Sequence, residues 1–564
     1  MTLTERHPAA GERVETRSFV TPDDTLADDA RLATPRWDPA PPARRSRHRA
    51  RLIALVGLIT VTAYLIWLLR PSRVGNPWLF GVLVTAELFN VAQALGFWWT
   101  CAFAPDRGAA DPHRDPAPDV ADLADVAVDV FIPTYDEPVD VVAPTVAAAV
   151  ALRGADVRVA LLDDGDRSEM RALAERYGAR YIRRDEHTGA KAGNINHALG
   201  ATSAPYVLVL DCDHVPLPDF LVRTLPLFGD ASDTYDLHTG RARHGVAYVQ
   251  TPQYYANAES NRVAEASWSQ QSLFFGAIAR GKDARGAMFC CGTNVVFRRT
   301  ALDDIGGFPE GSVTEDFELS IALHERGWTS AYAPEVLASG LGPEDVASYV
   351  GQQHRWARGC VGALPRIARA ALPARIKLQY LLSASYFLTG WTVLVYLSMP
   401  VFRILTGAQP IAGSGADDFL VAFAPYFGLA VLAVATIGGG AYTYSAYALA
   451  TTSFWVHIHA STKALFRRPS RFVVTPKTAS SDRQWRAVGP PLVAIGILTL
   501  AILVGLLRDR DAATLNNVAF AMLHVVVLCH GMAAALVPGT AAITPPHVED
   551  PAEPALQSRE SCGG

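Results

Sequence analysis

The chain has 564 residues, of which 50% are hydrophobic, and its mean hydropathy is slightly positive at +0.14. This composition is too apolar for one soluble domain and too polar for a bundle of membrane helices alone, so it predicts a chain with both kinds of region. The formal net charge of −5 lacks the basic excess of nucleic-acid-binding proteins, and no nucleic acid is expected as a partner. The seven cysteines have no paired spacing and are predicted to be free thiols.

Six apolar segments are long enough to cross a bilayer, which takes about 20 residues. They are Leu52–Leu69, Trp78–Ala102, Ala384–Ile404, Phe419–Tyr442, Leu492–Leu507 and Asn517–Val537. The basic run at 43–51 precedes the first segment and places the amino terminus in the cytosol by the positive-inside rule. The second segment then returns the chain, so that residues 103–382 are predicted to be cytosolic in a multi-pass protein of the plasma (inner) membrane.

The predicted domain organisation follows from these segments. The tails at 1–50 and 539–564 are polar or rich in proline, lack periodicity, and are predicted to be disordered. Between them we expect a transmembrane helix pair at 51–103, a cytosolic globular domain at 104–365, an interfacial helix with two transmembrane helices at 366–443, a cytosolic interfacial helix and loop at 444–490, and a second transmembrane pair at 491–538.

The cytosolic block alternates short apolar runs with helical periodicity. The runs "VAVDVFIP", "VRVALLDD", "YVLVLDCD" and "VAYVQT" are typical of strands buried on both faces. Helical patterns fall at Val139–Arg153, Ser168–Gly178, Ala192–Leu199 and Thr314–Arg326. This alternation predicts an α/β fold with a mostly parallel, doubly wound sheet.

Acidic motifs follow three of these strands, as "PTYDEP" at 133–138, "DDG" at 163–165 and "DCD" at 211–213. Ligands of such sheets bind at the carboxyl ends of the strands, so the three motifs are expected to meet at one edge. In an extended chain Asp211 and Asp213 project to the same side, while Cys212 faces away into the packing.

The "DCD" motif allows three interpretations. Two carboxylates without a cage suit Mg²⁺ or Mn²⁺, which are bound by one or two carboxylates together with substrate phosphates. Zinc would need soft ligands from a second Cys/His cluster, and the sequence has none at ligand spacing. A solvated acidic turn after a buried strand is the third interpretation, because the motif is weak when it stands alone.

The motifs taken in order resemble the processive family-2 glycosyltransferases, the family that includes the catalytic subunits of bacterial cellulose synthases. The resemblance runs from about Asp129 to Lys477. It rests on "DVFIPTYDEP", "LLDDGDR", "KAGNINHAL", "LVLDCDHVP", "VQTPQYY", "FCCGTNVVFRR", "VTEDFELSIALHERGW", "QQHRW" and "RFVVTPK". It implies a Rossmann-like GT-A glycosyltransferase domain inserted in a bundle of about six transmembrane helices.

The same resemblance implies the activity. We expect processive, inverting transfer from UDP-glucose to a growing β-glucan, β-1,4-linked and cellulose-like, with translocation of the polymer across the plasma membrane. Synthesis of another β-linked polysaccharide (β-1,3-glucan, mannan or a GlcNAc polymer), non-processive transfer to a lipid, and a non-catalytic scaffold are the alternatives. Membrane lipid and accessory export subunits are expected partners, whereas a cyclic-di-GMP-binding PilZ domain is not expected in residues 538–564.

Site residues also follow from the resemblance. Asp211 and Asp213 would hold Mg²⁺ or Mn²⁺, and Asp316 of the "TED" motif would be the base, with Glu315 and Thr314 in the same catalytic motif. Thr314 is also a candidate helix N-cap, a role compatible with catalysis. The implied substrate-binding residues are Thr134, Tyr135, Glu137, Asp163, Asp164, Lys191, Gln352, Arg355, Trp356, Phe472, Thr475 and Lys477.

Two sets of these substrate-binding residues also have a simpler structural interpretation. Arg355 offers a charged fork for a diphosphate and Trp356 a flat face for the acceptor sugar, although this tryptophan could instead anchor an interfacial helix. The segment Arg471–Lys477 resembles the loop that closes over the bound nucleotide in cellulose synthases. A basic interfacial linker is the alternative for that segment.

Overall fold

The structure is a computed structural model. It describes residues 44–105, 123–229, 234–236, 241–243, 245–413, 415–466, 481–508 and 511–536.

Twelve strands lie in the described part of the chain, in three sheets. They are β1 (Ala127–Thr134), β2 (Asp156–Asp163), β3 (Arg180–Ile182), β4 (Tyr206–Val209), β5 (Val215–Pro216), β6 (Thr234–Asp236), β7 (Arg241–Arg243), β8 (Val246–Gln250), β9 (Tyr254–Tyr255), β10 (Val295–Arg298), β11 (Thr329–Tyr332) and β12 (Ala338–Gly340).

The helices of the described residues alternate with the strands and then continue alone. They are α1 (Arg44–Leu68), α2 (Pro77–Cys101), α3 (Val139–Val150), α4 (Ser168–Tyr177), α5 (Ala190–Ala201), α6 (Phe220–Thr224), α7 (Arg262–Leu273), α8 (Ala279–Asp283), α9 (Arg299–Ile305), α10 (Glu315–Arg326), α11 (Val346–Arg369), α12 (Ala374–Ser385), α13 (Thr389–Thr406), α14 (Ala416–Ile437), α15 (Tyr444–Thr452), α16 (Phe454–Leu465), α17 (Ser481–Arg508) and α18 (Ala512–Leu536).

The central sheet has seven strands in the order β11-β8-β10-β4-β1-β2-β3. β1 pairs in parallel with β2 from Ala127↔Asp156 to Thr134↔Asp163, and β4 runs parallel to β1. β10 is antiparallel to both β4 and β8. The predicted mostly parallel α/β sheet is therefore confirmed, with one antiparallel strand that sequence analysis did not predict, because the short run Val295–Arg298 gives no signal of its direction.

Both faces of the sheet are buried. Ile132 of β1 packs with Met170 of α4 on one face, whereas Phe131 packs with Ile195 of α5 on the other. These side chains are all essentially inaccessible to solvent. Continuous apolar strands are what a sheet covered by helices on both sides requires. This rigid sheet fixes the positions of the loops at its carboxyl edge.

Six helical segments in the described residues are long and apolar enough to cross a membrane, as predicted. They are Arg47–Leu68, Pro77–Cys101, Ala374–Thr406, Asp417–Ile437, Trp485–Arg508 and Ala512–Ala533. α14 ends at Ile437 rather than at the predicted Tyr442, because three successive glycines, which have low helix propensity, follow it. α1 begins at Arg44, inside the segment that the sequence assigned to the tail.

Helix α11 connects the sheet to the membrane helices. It begins after Asp345, whose side chain accepts a hydrogen bond from the backbone N–H of Ser348 at 2.7 Å. One side of α11 contacts α10, and other parts of it pack on α12 and α16. The helix therefore places the "QQHRW" residues between the acidic strand ends and the membrane segments.

Candidate active site

A cavity of about 460 Å³ lies at the carboxyl edge of the central sheet. The sequence-predicted residues that line it are Thr134, Tyr135, Glu137, Asp164, Lys191, Asp211, Asp213, Thr314, Glu315, Asp316, Gln352, Arg355 and Trp356. Three acidic motifs that are far apart in the sequence thus meet in one place. Phe472, Thr475 and Lys477 lie outside the described residues.

The loop after β1 is held by a hydrogen-bonded network. Glu137 Oε2 accepts from Thr134 Oγ1 at 2.8 Å and from the backbone N–H of Tyr135 at 2.9 Å. Arg167 donates to the Glu137 carbonyl at 2.6 Å and to Thr134 Oγ1 at 3.0 Å. Tyr135 is left more than half exposed at the rim. The loop is therefore preorganised, with an aromatic ring available for a planar ligand.

The two aspartates of "DDG" face different surroundings. Asp163 is fully buried and accepts from Arg167 and from the Tyr181 hydroxyl at 2.9 Å. Asp164 lines the cavity and forms a two-pronged ion pair with Arg184 at 2.6 and 2.7 Å. Asp164 can therefore contact a ligand in the cavity, whereas Asp163 holds Arg167, which supports the loop after β1.

In the sequence Lys191 lies between the second and third acidic motifs, and its side chain lines the cavity. Its ammonium forms an ion pair with Asp211 and donates to the Gly292 carbonyl at 2.7 Å. Burial favours the neutral amine, but the carboxylates of Asp211 and Glu315 outweigh it and raise the pKa of Lys191. The side chain therefore carries a positive charge at the centre of the cavity.

The "DCD" motif lies in a turn. β4 ends at Val209, and the backbone N–H of His214 donates to the Asp211 carbonyl at 2.9 Å. Cys212 is buried in the core, as predicted. Ligand atoms of Asp211, Asp213 and His214 lie within 4.8 Å of one another. The turn thus brings the imidazole of His214 close to the two carboxylates. In an extended strand, this side chain would have pointed away from those of Asp211 and Asp213.

His214 has an unusual environment. Its side chain is buried, its Nδ1 lies 3.4 Å from Asp213 Oδ1, and neither ring nitrogen has a hydrogen-bond partner among the described residues. A buried polar group without a partner costs about 1–3 kcal/mol. A divalent cation would satisfy one of these nitrogens, so the donor set fits a metal, with one ligand that sequence analysis missed.

Helix α10 begins at Glu315, and Glu315 and Asp316 line the cavity close to Lys191. Burial and the neighbouring carboxylate of Glu315 raise the pKa of Asp316 to about 7. The backbone N–H of Phe317 donates to Asp316 Oδ1 at 2.7 Å and fixes the carboxylate. Burial also raises the pKa of Glu315. A carboxyl group with a pKa near neutrality is suited to accept a proton.

Gly292 makes a close approach to Asp316 possible. Its φ of +84° lies in the left-handed region, and a Cβ on it would lie 2.9 Å from Asp316 Oδ2. The same residue accepts the hydrogen bond from Lys191. A single glycine thus brings Asp316 and Lys191 to one point of the cavity wall.

Thr314 occupies the N-cap position of α10, as predicted, but its side chain makes no capping hydrogen bond in the described part of the chain. Its Oγ1 is buried without a hydrogen-bond partner among the described residues, although Thr314 does precede the helix. The side chain packs instead against Gly359 of α11, where a Cβ would lie 2.2 Å from Thr314 Oγ1 and 2.4 Å from Cγ2. This contact sets the distance between α10 and α11.

Replacing Gly359 with alanine is expected to lower both the Tm and the transfer rate. The added methyl group must displace Thr314 or α11, which costs about 1–3 kcal/mol, more than the 0.5–1 kcal/mol that alanine gains in a helix. Thermal unfolding of the purified protein measures the first effect. Gly351→Ala is the matched control, because this exposed glycine of the same helix has open space around it, and there the Tm is expected to stay or rise. An unchanged Tm for Gly359→Ala would contradict the packing argument.

The "QQHRW" residues close the cavity from the side of α11. Gln352 Oε1 is buried without a partner among the described residues, and its Nε2 lies 3.5 Å from the hydroxyl of Tyr255. Trp356 lines the cavity and also packs beside Ala357 in the contact with α16. An unsatisfied amide beside aromatic faces is typical of a surface that binds sugar hydroxyl groups.

The two cysteines of "FCCGT" fit the predicted packing role. Cys290 is buried and Cys291 lines the cavity, where Gln253 donates to its carbonyl at 2.7 Å. Burial raises the pKa of both thiols well above the ordinary value, so both are held in the unreactive protonated form.

Sequence analysis missed Arg167, Arg184 and His214. Arg167 follows Asp163 by four residues in "DDGDR", a spacing that could have indicated the ion pair. Arg184 pairs with Asp164 across 20 positions, which no local pattern reveals.

Comparisons with known proteins found relatives of this chain. Residues 206–438 match the family described as glycosyl transferase family group 2. The chain is 32% identical over 527 residues to cellulose synthase 1 of Komagataeibacter xylinus, covering 87% of this chain and 32% of that protein. It is 30% identical to the cellulose synthase 1 catalytic subunit [UDP-forming] of the same organism, covering 82% of this chain and 62% of that one.

Among solved structures, a mannosyltransferase from Pyrobaculum calidifontis in complex with GDP-Man and Mn²⁺ aligns with a TM-score of 0.48 and 18% identity, over 69% of this chain and 99% of that one. The chain spans about a third of the length of the first relative and less than two thirds of the second. Residues 206–438 thus match a family 2 glycosyltransferase domain, and the chain is homologous to bacterial cellulose synthases, including a catalytic subunit.

Proposed function

We propose that the protein is a membrane-embedded, inverting glycosyltransferase that polymerises UDP-glucose into a β-1,4-linked, cellulose-like glucan and passes the polymer through its membrane helices. The observation that carries this proposal is the cavity itself. A cation, a cluster of metal-ligand atoms, a carboxyl group with a raised pKa and the "QQHRW" side chains all line it.

The donor half of the cavity suits a nucleoside diphosphate sugar. Tyr135 and Asp164 at the strand ends would contact the nucleoside, and the ammonium of Lys191 would bind the diphosphate. The preorganised Thr134–Glu137 loop supports this, because its polar atoms are already held by Arg167. Ordering the loop before the ligand arrives reduces the entropy lost on binding.

The metal-ligand atoms suit Mg²⁺ or Mn²⁺. Asp211 and Asp213 would supply oxygen ligands, and His214 would supply a nitrogen that is otherwise unsatisfied. When bound, the ion would neutralise charge on the diphosphate leaving group. The chain's own residues would orient the diphosphate. The Lys191 ammonium would lie beside it, because this ammonium is paired with the carboxylate of Asp211.

Proton transfer is assigned to Asp316. The acceptor hydroxyl would attack the sugar C1, the bond from C1 to the diphosphate oxygen would break, and the hydroxyl proton would pass to the Asp316 carboxylate. Trp356 and Gln352 at the same wall would hold the acceptor sugar. The backbone contact from Phe317 keeps the carboxylate in one orientation, so that little reorganisation precedes the transfer.

Processive export is proposed because the cavity and the membrane segments share helix α11. A chain end bound beside Trp356 would lie next to the helices that follow α11. The six membrane-length helices would form the route across the bilayer. The sequence-predicted loop residues Phe472, Thr475 and Lys477 are assigned to closing the part of the cavity that binds the sugar donor. The catalytic domain is assigned to the cytosol.

Inverted membrane vesicles test the activity. Labelled UDP-glucose, with UDP-GlcNAc and GDP-mannose in parallel, is expected to give a high-molecular-weight product only from UDP-glucose. Digestion by an endo-β-1,4-glucanase is expected to release the label. Label confined to single-sugar lipids would contradict processivity, and polymer from another donor or polymer resistant to the enzyme would contradict the proposed product.

The transfer rate is expected to rise about tenfold between pH 6 and pH 8. A base acts as the carboxylate, and with a pKa of about 7 the ionised fraction of Asp316 grows from about a tenth to about nine tenths over that range. Initial rates at donor concentrations well below KM measure the effect, because they report kcat/KM and therefore the pKa of the free enzyme. Glu318→Gln, a change in the same first turn of α10 but outside the cavity, should keep the same profile. A rate that is flat from pH 6 to pH 8 would contradict the assignment of the base.

A further inference from the structure

A basic cluster lies on the side of α11 that faces away from the cavity. His354 and Arg358 are four residues apart and share one face of α11, and His459 and Lys463 are related in the same way on α16. The rings of His354 and His459 have their centroids 5.2 Å apart. These four residues, here called the α11–α16 basic cluster, line no part of the active-site cavity.

The electrostatics of the cluster favour an anion. Burial first, and then the proximity of His459, Lys463 and Arg358, lowers the pKa of His354. Burial first, and then Lys463 and Arg358, lowers the pKa of His459. The charged groups that act on these two imidazoles, among the described residues, are thus all basic. His354 Nε2 is buried and has no hydrogen-bond partner in the described part of the chain.

A metal ion fits this cluster poorly. Two imidazoles at this separation could approach one ion, but an ammonium and a guanidinium nearby repel a divalent cation. The same donors suit a phosphate group, which accepts several hydrogen bonds and carries negative charge. The cluster therefore has the chemistry of a phosphate site.

The surroundings point to a lipid as the source of the phosphate. Trp391 of the membrane segment α13 donates to Ser461 Oγ of α16 at 3.0 Å, so α16, which carries two residues of the cluster, packs on a membrane helix. α16 ends at Leu465, which is 77% exposed, and is followed by Phe466, which is 70% exposed. Basic residues beside exposed apolar side chains are typical of a helix in the headgroup region of a bilayer.

We propose that the α11–α16 basic cluster binds the phosphate group of an anionic phospholipid. The lipid phosphate contacts Arg358, Lys463 and the imidazole of His354, while its acyl chains cover Leu465 and Phe466. Because α11 also carries the cavity-lining residues on its other face, a lipid bound here steadies the wall of the active site. This binding does not depend on which sugar the enzyme transfers.

Binding of radiolabelled dioleoyl phosphatidylglycerol to the purified full-length protein in detergent tests the proposal. Phosphatidylglycerol is expected to bind more tightly than phosphatidylcholine. Arg358→Gln/Lys463→Gln is expected to weaken that binding about 30-fold, since each cation near a lipid surface contributes about a fivefold factor. Arg358→Lys/Lys463→Arg should retain it. Arg375→Gln, which removes an exposed cation of α12 outside the cluster, is the matched control and should bind as the unaltered protein does.

Several results would overturn the proposal. If Arg375→Gln weakens lipid binding as much as the double variant does, the lipid is attracted by diffuse surface charge and not by the α11–α16 basic cluster. If inorganic phosphate competes as well as the lipid does, the site takes a soluble anion. Should the double variant have a lowered Tm, Lys463→Gln alone replaces it, and undiminished phosphatidylglycerol binding by that variant would refute the site.

Discussion

Asp316→Asn is expected to lower the rate of glucan synthesis by about 100- to 10,000-fold, the range that general-base catalysis contributes. Asparagine has nearly the same shape, so the cavity should keep its form, but an amide cannot take up the proton of the acceptor hydroxyl. The loss is therefore expected in kcat, with little change in KM for UDP-glucose. Vesicle assays of initial rate across donor concentration measure both constants.

Glu318→Gln is the matched control for this variant. Glu318 lies on the same first turn of α10, but it is bound by Ser312 Oγ at 3.0 Å and lines no part of the cavity. Its substitution should leave kcat within about threefold, since it removes no group that touches the substrate. An Asp316→Asn enzyme with more than a tenth of the original kcat would rule out this carboxylate as the base.

The convergence of the acidic motifs could be predicted because it depends on a simple rule of topology. The carboxyl ends of β1, β2 and β4 must lie at one edge once the strands are parallel, and the register of Thr134 with Asp163 places their motifs side by side. The six membrane-length helices were predictable for a similar reason, because each is a local run of apolar residues.

The remaining features depend on contacts that the local sequence does not encode. The packing of Thr314 on Gly359 brings together two helices whose approach is set by the tertiary fold, so the capping pattern predicted the N-cap position but not this contact. The position of His214 depends on where β4 ends, and strand ends are weakly specified by periodicity. The pairing of Arg184 with Asp164 is equally non-local.

Asp213→Asn is expected to abolish metal binding and sugar transfer together. The change removes a charged oxygen ligand from a cluster of three, and loss of even an outer-shell partner of a metal site typically costs 10- to 100-fold in affinity. We therefore expect Mn²⁺ affinity to fall by more than about 100-fold. Electron paramagnetic resonance of Mn²⁺ with the purified protein measures binding, and addition of EDTA should remove the activity of the unaltered enzyme.

Asp219→Asn and His214→Gln make this result interpretable. Asp219 follows the same turn but lies outside the cavity, so its substitution should change neither binding nor rate. His214→Gln should weaken Mn²⁺ binding if the buried imidazole is a ligand, and a normal affinity would restrict the site to the two carboxylates. If Asp213→Asn still binds Mn²⁺ as the unaltered protein does, the "DCD" carboxylates hold no metal, and the charge of Lys191 would have to stabilise the leaving diphosphate by itself.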